Sequence, residues 1–189
     1  MRWERLFDDL EGEIEAERRR ALDGEVAERS RYEFGLLTLS DRLSGVVGGS
    51  VRALMLGGAS AEGAIRAVGR DWLLLSEGPV PCETLVAIPQ IVSVTGVERR
   101  SAPETGDETD GLSEHLLLRH LIRGLGRDRS PVAVHTTDAS THCGTFDRVG
   151  RDHAELAIHP IDMARRPGSV LEMRIVLLAS IAVVRTPKS

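Results

Sequence analysis

The residues able to do chemistry gather in the last third of the chain. His135, His142, Cys143, His153 and His159 fall within 25 positions of one another. A zinc site would need three or four nitrogen and sulfur ligands converging at about 2.0–2.3 Å. His142 and Cys143 are adjacent on what reads as a strand, so their side chains point to opposite faces. Ala61 and Glu62 stand at the corresponding places earlier in the chain. No metal site is expected. Cys143 as a nucleophile would need a base within reach and an oxyanion donor set, and no such constellation surrounds it. Gly57-Gly58 and Gly48-Gly49 lack the spacing and the lysine of a phosphate loop, so they read as turns. Neither a catalytic group nor a cofactor site is expected, and the chain reads as a non-enzyme.

One polar feature occurs twice. Arg70-Asp71 and Arg151-Asp152 each follow a glycine, and Trp72 or His153 comes next. Aspartate at such a place can bond its own backbone in a turn. An arginine on each rim could instead meet a phosphate or a carboxylate-bearing partner. The expected contact residues are Arg70, Asp71, Trp72, Arg148, Arg151, Asp152 and His153, with Arg165 and Arg166 in a later loop.

The elements that position these residues repeat. Residues 63–71, GAIRAVGRD, align with residues 144–152, GTFDRVGRD, at an offset of 81 with five of nine positions identical. Upstream, Val51 and Ala53 align with Val132 and Val134; downstream, Ile91 to Val94 align with Ile181 to Val184 at an offset of 90. The extra residues lie around His159 to Gly168, which reads as a longer loop. Internal duplication follows. Each copy reads as five short strands: 51–56, 63–69, 72–76, 85–88 and 91–95, then 132–136, 144–150, 153–158, 173–177 and 180–185. In the second strand of each copy the apolar residues, Ile65 and Val68 or Phe146 and Val149, are three apart. A strand alternates every two, so a bulge or sharp bend must intervene. The tight turn after Gly69 or Gly150 suggests a glycine with positive φ.

Five short strands with a bent second strand resemble the Sm-like small β-barrel superfamily, over residues 38–96 and 112–186. That resemblance implies an α+β chain with two five-stranded antiparallel Sm-like or SH3-like barrels, each behind a short helix. Residues 38–43 and 111–119 supply the helices, with Thr38 or Ser40 as N-cap. Sm-type RNA binders place an Asp and an Asn around the turn between the second and third strands. Here the turn is Gly-Arg-Asp with no Asn.

The expected organisation is an amphipathic helix over 1–37, a first barrel over 38–96, an acidic linker over 97–110 and a second barrel over 111–189. Trp3, Phe7, Leu10, Ile14 and Ala21 form a narrow apolar seam on the first helix. Such a seam either packs on the barrels or docks a partner. The apolar residues from Leu112 to Leu125 cover a wide helical face that calls for contacts beyond one barrel.

Composition narrows the function classes. Aromatics are 3%, which leaves few platforms for stacking bases. The net charge is −5, yet residues 129–189 carry 8 basic groups against 6 acids. The expected function is therefore a protein–protein interaction or adaptor module that binds a protein partner or itself. RNA or DNA binding through the arginine-bearing second barrel is the alternative. Two cysteines outside any C-x-x-C pattern, no apolar run of membrane-spanning length and no apolar leader point to a cytoplasmic protein without membrane insertion.

Overall fold

The computed structural model describes residues 15, 17–19, 22–25, 28–78, 82–97, 115–161 and 170–186. The chain divides into two units, Met1–Thr38 and Leu39–Ser189. In the first, residues 28–36 are helical, and Tyr32, Phe34 and Leu36 are exposed. The seam expected at Trp3, Phe7, Leu10, Ile14 and Ala21 lies outside the described residues, as does most of the expected linker.

Among the described residues, the second unit holds ten strands and two α-helices. They are α1 (Leu39–Ser44), β1 (Ser50–Met55), β2 (Ser60–Val68), β3 (Trp72–Glu77), β4 (Cys82–Ala87) and β5 (Ile91–Thr95), then α2 (Leu118–Arg127), β6 (Pro131–Thr136), β7 (Thr141–Val149), β8 (His153–Ile158), β9 (Glu172–Leu177) and β10 (Ile181–Thr186). Strand positions agree with the apolar runs to within a few residues. The helix expected from residue 111 begins at Leu118, after Leu116 and Leu117.

The architecture corrects the expectation of two closed barrels. The strands form a single open antiparallel sheet in the order β5-β1-β2-β3-β4-β10-β6-β7-β8-β9. Each half repeats one order, with its fifth strand beside its first. Closing a barrel would require β4 to pair with β5, and β9 with β10. Those strands are instead separated by single 3-10 turns, Ile88–Gln90 and Leu178–Ser180. These turns send the chain across to the opposite edge of its own half. The exposed side of β4 is then taken by β10, with Val183 opposite Val86 and Val184 opposite Leu85. All four side chains are buried. This inter-half pairing satisfies the backbone groups that closure would have satisfied.

The bend in the second strand has two visible causes. Register slips between Ile65 and Ala67 in β2, and between Phe146 and Arg148 in β7. The slip lets Ile65 and Val68 both turn inward, at 1% and 3% exposure. Where the bent strand crosses its neighbour, a Cβ on Gly63 would collide with the Ser76 carbonyl, and one on Gly144 with that of Ala157. Only glycine tolerates so close an approach.

Two apolar clusters form the core. One holds Leu43, Val51, Ala53, Met55, Ile65, Leu73 and Leu75 of the first half, and it also takes in Ala182 and Val183 from β10. The other holds Leu118, Ile122, Val132, Phe146, Leu156 and Val176 of the second half, and it takes in Trp72, Leu85 and Ala87 from β3 and β4. Each half therefore lends side chains to the core of the other.

Candidate functional site

The residues singled out for partner contact separate into two groups. Asp71 and Trp72 belong to the seam between the halves. Helix α2 begins after Leu117, which has no side-chain acceptor to cap it. Asp71 Oδ1 accepts the Leu118 N–H at 2.8 Å, and His120 Nδ1 accepts the Leu117 N–H at 3.0 Å. A carboxylate at a helix N-terminus also meets the positive end of the helix dipole. Trp72 is 3% exposed, and its indole Nε1 donates to the Leu116 carbonyl at 2.8 Å. Both residues hold the second half against the first, and Trp72 is not available to a partner.

Their counterparts stand in solvent. Asp152 pairs with the neighbouring His153 ring, Oδ1 to Nδ1 at 2.8 Å, and its side chain is 79% exposed. The hydrogen bond from His153 holds the Asp152 carboxyl below its usual range. Arg70, Arg148 and Arg151 are also exposed. Arg165 and Arg166 lie outside the described residues. The glycine before each pair was expected to take a positive φ, but neither Gly69 nor Gly150 does. The reason for glycine is lateral: a Cβ on Gly69 would enter the Trp72 indole, and one on Gly150 would meet the His153 ring.

The histidines do not converge. His159 is 1% exposed, and its Nδ1 donates to the Pro160 carbonyl at 2.8 Å. Its Nε2 hydrogen-bonds the Thr145 hydroxyl, also at 2.8 Å. His142 Nδ1 accepts from the Arg174 guanidinium at 3.0 Å. His135 meets the Thr141 hydroxyl at 2.9 Å, and burial, aided by Arg185, lowers its pKa against the opposing pull of Glu77. No cluster of three metal-ligating side chains occurs among the described residues.

Several arginines of the second half are engaged. Arg123 reaches the Val149 and Gly150 carbonyls, Arg129 pairs with Asp147 at 2.7 Å, and Arg174 pairs with Glu172 at 2.8 Å. Arg185 crosses the seam to Glu77 at 3.2 Å.

The feature that the residue types did not reveal is at the sheet edge. Among the described strands, β9 has no neighbour on its outer side. Leu171, Met173, Ile175 and Leu177 are 78%, 50%, 68% and 57% exposed, an alternating apolar row along and just before that strand. At the opposite end of the sheet, edge strand β5 exposes Val92 and Ser93. The signal was present in the alternation from Leu171 to Leu177. Nothing in the sequence said that this strand would lack a partner.

No helix among the described residues is long and apolar enough to cross a membrane. Comparisons of the chain with protein-family models, curated proteins and solved structures found no match, and so lend no support to the Sm-like resemblance.

Proposed function

We propose that the chain is a non-enzymatic protein-interaction module and that strand β9 is its docking edge. The observation that carries this reading is the exposed row Leu171, Met173, Ile175 and Leu177 on a strand that no described strand pairs on its outer side. An edge strand of this kind is a template for another strand: backbone groups provide the hydrogen bonds, and alternate side chains provide selectivity. Natural sheets usually blunt such edges with lysine, proline or a bulge. Here β9 has no lysine or proline, and its one arginine is held by Glu172 and His142.

Nucleic-acid binding has weaker support. Arg123, Arg129 and Arg174 already answer carbonyls or carboxylates within the chain. Arg70, Arg148 and Arg151 are exposed, but phosphate contacts by the other three would have to displace those partners.

A benzophenone amino acid in place of Ile175, photolysed in the cells that make the protein, tests the reading. A discrete protein adduct is expected. RNA adducts, or no adduct, would remove its support. A mixed-sequence RNA titration by fluorescence anisotropy at two salt concentrations supplies the complementary result, expected to show no salt-dependent binding.

A further inference from the structure

An ion pair crosses the seam between the halves, and a histidine stands beside it. Arg185 on β10 donates its Nε–H to Glu77 Oε2 on β3 at 3.2 Å, and a terminal nitrogen donates to the Ser60 carbonyl at the start of β2. Glu77 Oε1 accepts the Glu62 N–H at 3.1 Å, so both oxygens of the carboxylate already have donors. The Arg185 and Glu77 side chains are 25% and 20% exposed. Solvent and salt screen so enclosed a pair only in part.

Strand register brings His135 to this clasp. His135 on β6 lies opposite Val183 on β10, two residues before Arg185 and so on the same face. Arg185 lies opposite Thr84 on β4, and Thr84 opposite Leu75 on β3, two residues before Glu77. All three side chains project from one face of the sheet. Arg185 is the diagonal cross-strand neighbour of His135, a separation that a long side chain spans. From the other side, β7 presents the Thr141 hydroxyl, 2.9 Å from the ring Nδ1, and the Cys143 thiol. Asp138, in the turn after β6, is held by Thr136 and Ser140. The charges that act on the ring are Arg185, which opposes a positive ring, and Glu77, which favours one.

The repeat supplies no second copy of this arrangement. At offsets of 81, 81 and 90, the counterparts of His135, Glu77 and Arg185 are Leu54, Ile158 and Thr95. None of those side chains carries a charge. The three groups therefore belong to the inner seam, where the two halves meet, and to no other part of the repeat.

We propose that His135 is a proton-operated release for the seam between the halves. The neutral ring lies beside Arg185 without opposing it. A proton taken up from solvent by a ring nitrogen sets a second positive charge next to the guanidinium, on a partly desolvated face. The repulsion is relieved when Arg185 leaves Glu77 and the Ser60 carbonyl, and β10 then loses its side-chain hold on β2 and β3. Burial, and after it Arg185, holds the ring below the ordinary pKa of 6.5 against the pull of Glu77. A lowered histidine pKa means that the folded chain favours the neutral ring. The contribution of His135 is thus complete above about 6.5 and is lost as pH falls from there to the folded midpoint.

The experiment uses the full chain and two readouts. An NMR titration of the His135 ring should give a midpoint below 6.5, raised in Arg185→Gln and lowered further in Glu77→Gln. A parent midpoint at or above 6.5 overturns the inference. Hydrogen exchange, corrected for the intrinsic rate, is compared at about pH 7.5 and about pH 5.5, either side of the ordinary midpoint. Opening of the β4–β10 ladder should rise with acid by up to about tenfold for each pH unit between 6.5 and the folded midpoint, the limit for one linked proton. The β1–β2 ladder, away from the seam, should respond less. His135→Gln stays uncharged and can keep the Thr141 hydrogen bond, so it should lose the acid response of the seam. A response that His135→Gln retains places the proton on another group and overturns the inference. An equal response in β1 and β2 also overturns it, because His135 would then act on the whole fold. Should His135→Gln fail to fold, the ring midpoint and the location of the acid response in the parent decide.

Discussion

Replacing Leu85 with alanine tests whether the two halves share one energetic core. Leu85 lies on β4, in the first half, yet its side chain sits among Leu118, Ile122, Val134 and Val184. At 5% exposure it is effectively removed from water. Truncation removes three carbons and leaves a cavity that a sheet strand cannot collapse to fill, at a cost of about 2–5 kcal/mol. The middle of that range, about 3.5 kcal/mol, lowers the melting temperature of a unit this size by roughly 7–14 °C. Location is the sharper readout. Hydrogen exchange should quicken in α2, β6 and β8 as much as in β3 and β4, because the cavity opens into the second half. Ile65→Ala, in the first-half cluster, is the control, with its main effect on β1 to β3. If Leu85→Ala loosened only residues 50–95, the side chain would belong energetically to its own half and the shared-core argument would fail.

Gly69→Ala should destabilise by about 1–3 kcal/mol by forcing the buried Trp72 indole aside; Gly150→Ala should cost less, because the His153 ring can swing into solvent, and equal melting temperatures would refute this. Asp71→Ala should cost about 0.5–2 kcal/mol through loss of the cap on α2, whereas Asp152→Ala should change stability negligibly; denaturant titration compares them. Asp138 accepts the Thr136 hydroxyl at 2.6 Å and the Ser140 N–H at 3.0 Å, which lowers its pKa to about 2. A depressed carboxyl pKa stabilises the fold above the ordinary value of 3.8, and the contribution fades as pH falls towards about 2. Carboxyl NMR should find the Asp138 midpoint near the lower value; a midpoint at 3.8 would mean that the turn hydrogen bonds are absent. The Thr84 hydroxyl is buried at the seam without a hydrogen-bond partner, so Thr84→Val should stabilise the chain by about 1 kcal/mol; destabilisation on thermal melting would contradict this.

Much of the architecture could be read from residue pattern. The nine-residue repeat, the three-residue spacing of Ile65 and Val68, and the alternating apolar runs located the strands and the bent second strand. Sheet closure could not be read, because strand spacing says which residues pair easily but not with which edge. Leu85 and Val86 look the same whether they face β5 of their own half or β10 of the other. The repeated Arg-Asp motif was legible, but its two roles were not. Asp71 caps a helix and Asp152 stands in solvent because α2 follows only the first copy of the motif. The apolar row on β9 reads as ordinary core until its lack of a neighbour is known.

The central place of β10 bears on how the chain is made. The Cys82 thiol on β4 donates a hydrogen bond to the Thr186 carbonyl on β10, 104 positions away. Contacts of such separation form slowly, since a long loop must close before they contribute. On the ribosome, β10 emerges after the other nine strands. Until it arrives, the facing edges of β4 and β6 are both bare, and Leu85 and Val134 stand open to water. A nascent chain at this stage carries two extra sticky edges, and crowding or a stall before residue 181 should favour capture of a neighbouring nascent chain over productive closure.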